Sequence, residues 1–134
     1  MEGISVIYNY FPWKRSYVKV RLGKFDGTFP WNKTEDRKRE FYTNKLPLYK
    51  DEGVYFHLKD NDFNWNTIDD LKKYIIGVTI GYNHEKLYKE HGIIAESVAS
   101  EELNFKKMLL GRIDVYRTSK NVGYETIKKL FSPE

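Results

Sequence analysis

With 134 residues, 40% hydrophobic content and no cysteine, the chain can fill one ordinary core or two small layers, and disulfides, Cys-ligated zinc and thiol catalysis are excluded. The formal charge of +4 is small and interleaved with acids: up to Leu58 there are 11 Lys+Arg against 7 Asp+Glu, and after it 12 of each. That balance argues against a nucleic-acid partner and leaves room for an anion site. No stretch reaches the roughly 20 apolar residues of a membrane span, and Met1 to Ser5 lack signal-peptide character, so the protein is expected to be cytosolic or to have its export signal outside this sequence.

Ile4, Val6 and Tyr8 alternate as in a strand that Pro12 interrupts, and Tyr17, Val18 and Leu22 fall at helical spacing in a helix predicted from Lys14 to Leu22. Phe25 to Phe29 predicts a short strand. Thr34 opens a short helix whose acids, Glu35 and Asp36, precede its bases, as the helix dipole favours. Leu46 to Leu58 predicts an extended segment, and Lys59 to Asn66, rich in Asp and Asn, a turn-rich connection.

After Leu71, the β-branched run Ile75 to Ile80 has the composition of a buried parallel strand that Gly81 ends. Asn83 can cap a helix from His84 to His91, Gly92 closes it, and Ile93 to Val98 predicts the next strand. Ser100 caps a helix from Glu101 to Leu110, followed by a strand from Ile113 to Tyr116 and a final helix from Tyr124 to Phe131. Alternating strands and helices imply parallel βαβ units, so the fold class is α/β.

Leu22-Gly23-Lys24-Phe25-Asp26 is echoed 88 positions later by Leu110-Gly111-Arg112-Ile113-Asp114, each copy placed to close a helix on a left-handed glycine and start a strand. The echo divides the chain into two similar lobes, 1–58 and 59–134, joined by a hinge connection near 57–66. Two such lobes are expected to face each other across a cleft, where α/β proteins bind ligands.

The segments Phe11 to Arg15, Gly23 to Trp31, Thr34 to Arg37, Leu71-Lys72 leading into Ile76 to Tyr82, and Leu110 to Asp114 resemble, in order and spacing, the family 3 extracytoplasmic solute-binding proteins. The resemblance covers nearly the whole chain. It implies a periplasmic-binding-protein-like fold that is incomplete at both ends, since the family domain runs to about 220 to 250 residues. It further implies a periplasmic or extracellular location and delivery of a small polar, carboxylate-bearing solute, such as an amino acid, to an ABC transporter permease. A sensory or regulatory module of a larger protein, or a fragment that binds nothing, are the alternatives. Strand edges left by the missing elements are expected to pair with a second copy, including by exchange of elements.

The resemblance makes Arg37 the residue that clamps a ligand carboxylate with two parallel hydrogen bonds, a task that suits its planar fork. Thr34 is either a second donor or only the helix cap. Thr28, Phe29, Pro30 and Trp31 correspond to a ligand-lining loop, bulkier here than the small and hydroxyl residues usual in the family, and Trp13 is either another wall residue or core. Gly81, Tyr82 and Asn83 match a turn whose backbone N–H groups face the carboxylate. Where amino-acid binders commonly place an acid for the ligand's ammonium, this chain has Thr118, Ser119 and Lys120, with Thr118 a candidate contact; Asp114 is read as structural. No catalytic constellation, metal-ligand spacing or cofactor motif is expected: His57, His84 and His91 are isolated.

Overall fold

The computed structural model describes residues 3–131. It forms two compact units, the first ending at Thr43 and the second beginning at Asn44. Among the described residues no helix is long and apolar enough to cross a membrane.

The first unit carries two helices, α1 (Trp13–Arg21) and α2 (Glu35–Glu40). None of its described residues is buried. A segment of this size cannot enclose a core of its own. Its order rests instead on aromatic edges and on cations laid over rings: Phe11 meets Phe25 edge-on at 5.5 Å, and the Lys19 ammonium lies 4.5 Å from the Phe11 centroid and 5.1 Å from that of Phe25.

Neither strand expected here, over Ile4–Tyr10 and Phe25–Phe29, forms. A strand is stabilised by ladder partners, and no segment pairs with these among the described residues, leaving Ile4 88% and Tyr10 87% exposed.

In the second unit the four strands β1 (Gly53–His57), β2 (Ile76–Thr79), β3 (Ala95–Val98) and β4 (Val115–Ser119) make one sheet in the order β1-β4-β2-β3. β2 runs parallel to β3 and to β4, while β1 is antiparallel to β4 with Tyr55 opposite Arg117. The expected parallel βαβ pattern is therefore present, with one antiparallel edge strand added. Sequence reasoning placed residues up to Leu58 in the first lobe; pairing with β4 puts β1 in the second unit. The connection read as a hinge packs in the second unit too, through Phe63 and Trp65, whose rings sit 5.4 and 5.2 Å from that of Tyr55.

A 3-10 helix (Ile68–Lys73) and the helices α3 (His84–Glu90), α4 (Glu101–Leu109) and α5 (Lys120–Phe131) cover the sheet. Side-chain alternation in β2 and β4 sorts the core into two faces. Ile76, Val78 and Val115 pack with Leu71, Tyr88 of α3 and Ile93. Tyr116 packs on the other face with Phe105 and Met108 of α4 and with Ile113. Gly77 lies on that second face, where an added Cβ would stand 2.5 Å from both Asn104 Oδ1 and Ile113 Cδ1, so close packing of α4 on β2 requires glycine.

The five-residue echo is a helix stop. Gly23 (φ 67°) and Gly111 (φ 64°) donate to the carbonyls of Val20 and Met108, and the next N–H groups reach back to Lys19 and Lys107, the double closure of a left-handed C-terminal cap. Gly92 (φ 65°) ends α3 in the same way. This turn recurs a third time without the flanking sequence, so its local chemistry is sufficient to produce it. Asp114 is structural, as expected: its carboxylate accepts from the Ile75 N–H at 2.7 Å, and its carbonyl from Asn61 at 3.0 Å.

Candidate functional site

In the first unit the structure gathers five of the residues singled out by sequence. α2 is capped by Thr34, whose Oγ1 accepts from the Arg37 N–H at 3.3 Å, and this cap sets where the Arg37 side chain leaves the backbone. The guanidinium then lies 4.6 Å from the Trp31 ring and 5.9 Å from that of Tyr17, and its Nη1 donates to the Asn32 carbonyl at 3.0 Å. Burial pushes the Arg37 pKa down from its usual value, with Tyr17 opposing. An arginine starts so high that it stays cationic throughout the range in which proteins fold.

Trp31 is itself held. Its Nε1 donates to Thr28 Oγ1 at 3.0 Å, Thr28 pairs with Ser16 of α1 at 2.8 Å, and Trp13 meets Trp31 edge-on at 5.1 Å. Tyr17 donates to Glu40 at 2.7 Å, which with burial raises its own pKa. The result is a half-buried cation on an aromatic platform, with Trp13, Thr28 and Trp31 forming its support. Phe29, 55% exposed, instead turns toward Tyr8, and Pro30 follows it through a cis peptide bond.

In the second unit the chain path creates a switch point. β2 continues through α3 to β3 on one side, and α4 then returns across β2 to β4 on the other. Crevices at the carboxyl ends of strands with this reversal are where α/β sheets take ligands. The turn Gly81-Tyr82-Asn83 lies at that end, with Gly81 at φ 94°. Asn83 does not cap α3. Its backbone is already helical (φ −65°, ψ −18°), so its side chain makes no capping hydrogen bond there.

Behind the turn lies a polar network that sequence reasoning missed. Tyr82 donates its phenol proton to Glu101 at the start of α4. Thr79 and Tyr116 share a hydrogen bond of 2.8 Å, and Asn104 donates to Thr79 Oγ1 at 3.2 Å. Burial pushes the Tyr82 and Tyr116 hydroxyls and the Glu101 carboxyl up, the Glu101 shift being opposed by the Tyr82 proton. Thr118 is 2% exposed and lies beside these hydroxyls, so it faces the network rather than solvent. The signal was available: Tyr82 and Glu101 each stand at the start of a helix that follows a parallel strand, and such starts fall at one end of a sheet.

No family profile matches the sequence. The "probable amino-acid-binding protein YxeM" of Bacillus subtilis is 26% identical over 119 residues, covering 86% of this chain and 45% of that protein. The structure of an ancestral arginine-binding protein bound to arginine superposes with a TM-score of 0.74 at 22% identity, over 95% of this chain and 57% of that one. The chain is similar in sequence to an amino-acid-binding protein and shares the fold of solved arginine- and amino-acid-binding proteins. It spans about half the length of the proteins it matches. An ancestral amino acid-binding protein described as a precursor of cyclohexadienyl dehydratase superposes equally well, with a TM-score of 0.73 at 21% identity over 94% of this chain and 58% of that one, so within this fold a binding protein has preceded an enzyme.

Proposed function

We propose that the chain carries carboxylate-binding machinery of a solute-binding protein, and that the whole protein takes up a small polar solute outside the cytoplasm for an ABC transporter permease. One observation carries the reading: the Arg37 guanidinium is stacked on Trp31 at 4.6 Å and tied to the Asn32 carbonyl at 3.0 Å. A planar cation fixed in this way loses little freedom on meeting a carboxylate, and partial burial strengthens the pairing. Support also comes from the homologous YxeM, whose name is that of an amino-acid binder, and from neighbours that are binding proteins. The role proposed is binding rather than catalysis.

Thermal unfolding of the chain in the presence of amino acids, dicarboxylates and polyamines tests the proposal, because a ligand that binds only the folded state raises Tm. Amino acids or other carboxylates are expected to raise it and polyamines, which offer no anion, are not. A shift with polyamines alone contradicts the carboxylate reading.

A further inference from the structure

A second cationic cluster lies in the second unit, on the sheet face covered by α3, and shares no residue with the Arg37 platform. Arg117 of β4 stands directly opposite Tyr55 of β1 in the antiparallel ladder, and its guanidinium lies 5.8 Å from the Tyr55 ring centroid. It spreads over Gly53, two residues before Tyr55 on the same face, where an ideal Cβ would be 3.0 Å from Nη2. A side chain at this position would press on the guanidinium, and glycine leaves it room. Among the described residues none forms a hydrogen bond or ion pair with the Arg117 side chain.

From α3, His84 completes the cluster. Its ring stacks on Tyr88 with 27° between the planes and 6.2 Å between centroids, and Tyr88 in turn shares a 3.0 Å hydrogen bond with Tyr55. The buried Nδ1 of His84 has no hydrogen-bond partner among the described residues. The nearby acid of α3, Glu85, is engaged by Ser97 at 2.8 Å, and Glu52 at the β1 end pairs with Lys120 at 3.3 Å. A half-buried guanidinium without a carboxylate and an imidazole nitrogen without a partner are each costly alone. One bound anion satisfies both.

We propose that Arg117, Gly53 and His84 form a small oxyanion site on the α3 face of the sheet, taking a carboxylate or phosphate group between the guanidinium and the imidazole. Arg117 supplies the charge and the fork, Gly53 the room for it, and His84 a second donor. The electrostatics agree. Burial, and then repulsion from Arg117, hold the His84 pKa down to about 4. The other titratable groups facing the ring are phenols, Tyr82 and Tyr88 from its own turn and helix, with Tyr55 beyond them on β1. An oxyanion in the site converts that repulsion into a shared attraction and draws a proton onto His84.

The test is a proton NMR titration of the histidine ring resonances of the whole chain with inorganic phosphate and, separately, with acetate, His84 being assigned by its loss in His84→Phe. Binding is expected to move the His84 resonance saturably and to raise its titration midpoint above about 4. Arg117→Gln should abolish the response, and Arg117→Lys, which keeps charge but not the fork, should weaken it by about tenfold. Arg37→Ala should leave it intact, which separates this site from the proposed solute site. A response to only one of the two anions identifies the ligand class and still supports the site. No saturable shift of His84 with either anion, or an equal shift in a folded Arg117→Gln or Arg117→Lys chain, overturns the proposal.

Discussion

The Arg37 guanidinium rests 4.6 Å from the centroid of the Trp31 ring, and Trp31 is fixed in turn by its hydrogen bond to Thr28 at 3.0 Å. The contact orients the cation as well as stabilising it. Trp31→Ala therefore removes orientation and leaves charge. Cation–π pairs at partly exposed sites contribute about 0.5–1 kcal/mol, so the Kd for a carboxylate solute is expected to rise by about two- to fivefold. Calorimetric titration checks this, and an unchanged Kd would show that the platform does not orient Arg37.

Gly77 has no room for a side chain, because a Cβ would meet Asn104 Oδ1 and Ile113 Cδ1 at 2.5 Å. Both neighbours are buried in the packing of α4 against the sheet, at 0% and 3% exposure. Gly77→Ala is expected to destabilise the second unit by about 1–3 kcal/mol, the usual cost of overpacking. Urea unfolding followed by tryptophan fluorescence and far-UV circular dichroism measures it. Wild-type stability in the variant would mean that α4 is free to move off β2.

The Thr79–Tyr116 hydrogen bond of 2.8 Å joins two residues that are fully buried. Tyr116→Phe keeps the ring among Phe105 and Met108 and removes only the hydroxyl, at an expected cost of about 0.5–1.5 kcal/mol. Thr79→Val leaves the Tyr116 hydroxyl and the Asn104 amide unpaired and is expected to cost more, about 1–3 kcal/mol. A double-mutant cycle in urea should give a nonzero coupling, because one substitution removes the partner that the other would lose. Strict additivity would contradict the shared bond.

His84 makes stability depend on pH with a definite sign. Its pKa falls from 6.5 to about 4 on folding because burial and Arg117 disfavour the charged ring. The neutral ring's contribution is present in full above 6.5 and is lost as the pH falls through about 4. In a buffer without oxyanions the urea midpoint should fall over that window, and His84→Phe, which keeps the ring stacked on Tyr88, should flatten the decline. An identical pH profile in the variant would remove His84 as its cause.

Hydrophobic patterning made the second unit legible. Ile75 to Ile80, the glycines after α3 and α4, and the cap at Ser100 mark elements that form within a residue or two of expectation, as does the cap at Thr34 in the first unit. The alternation of Ile4, Val6 and Tyr8 misled because a pattern predicts a strand only when a partner supplies the ladder. In the candidate site, the family resemblance pointed to Arg37 and Trp31. The stack between them was not legible, since it depends on where the cap at Thr34 launches α2. Glu101, Tyr116 and Arg117 escaped for another reason: they meet Tyr82, Thr79 and Tyr55 only through sheet order, and order is not written in local sequence.

The most direct test of the carboxylate role is the Arg37 side chain itself. In a proton–nitrogen correlation spectrum, assigned by its loss in Arg37→Ala, the Arg37 Nε–H resonance should shift saturably when an amino acid or other carboxylate that raises Tm is added, and Arg37→Ala should lose both binding and the Tm increase while keeping the wild-type circular dichroism spectrum. A solute that binds Arg37→Ala with wild-type affinity, or that leaves the Arg37 resonance unmoved at saturation, would contradict the account.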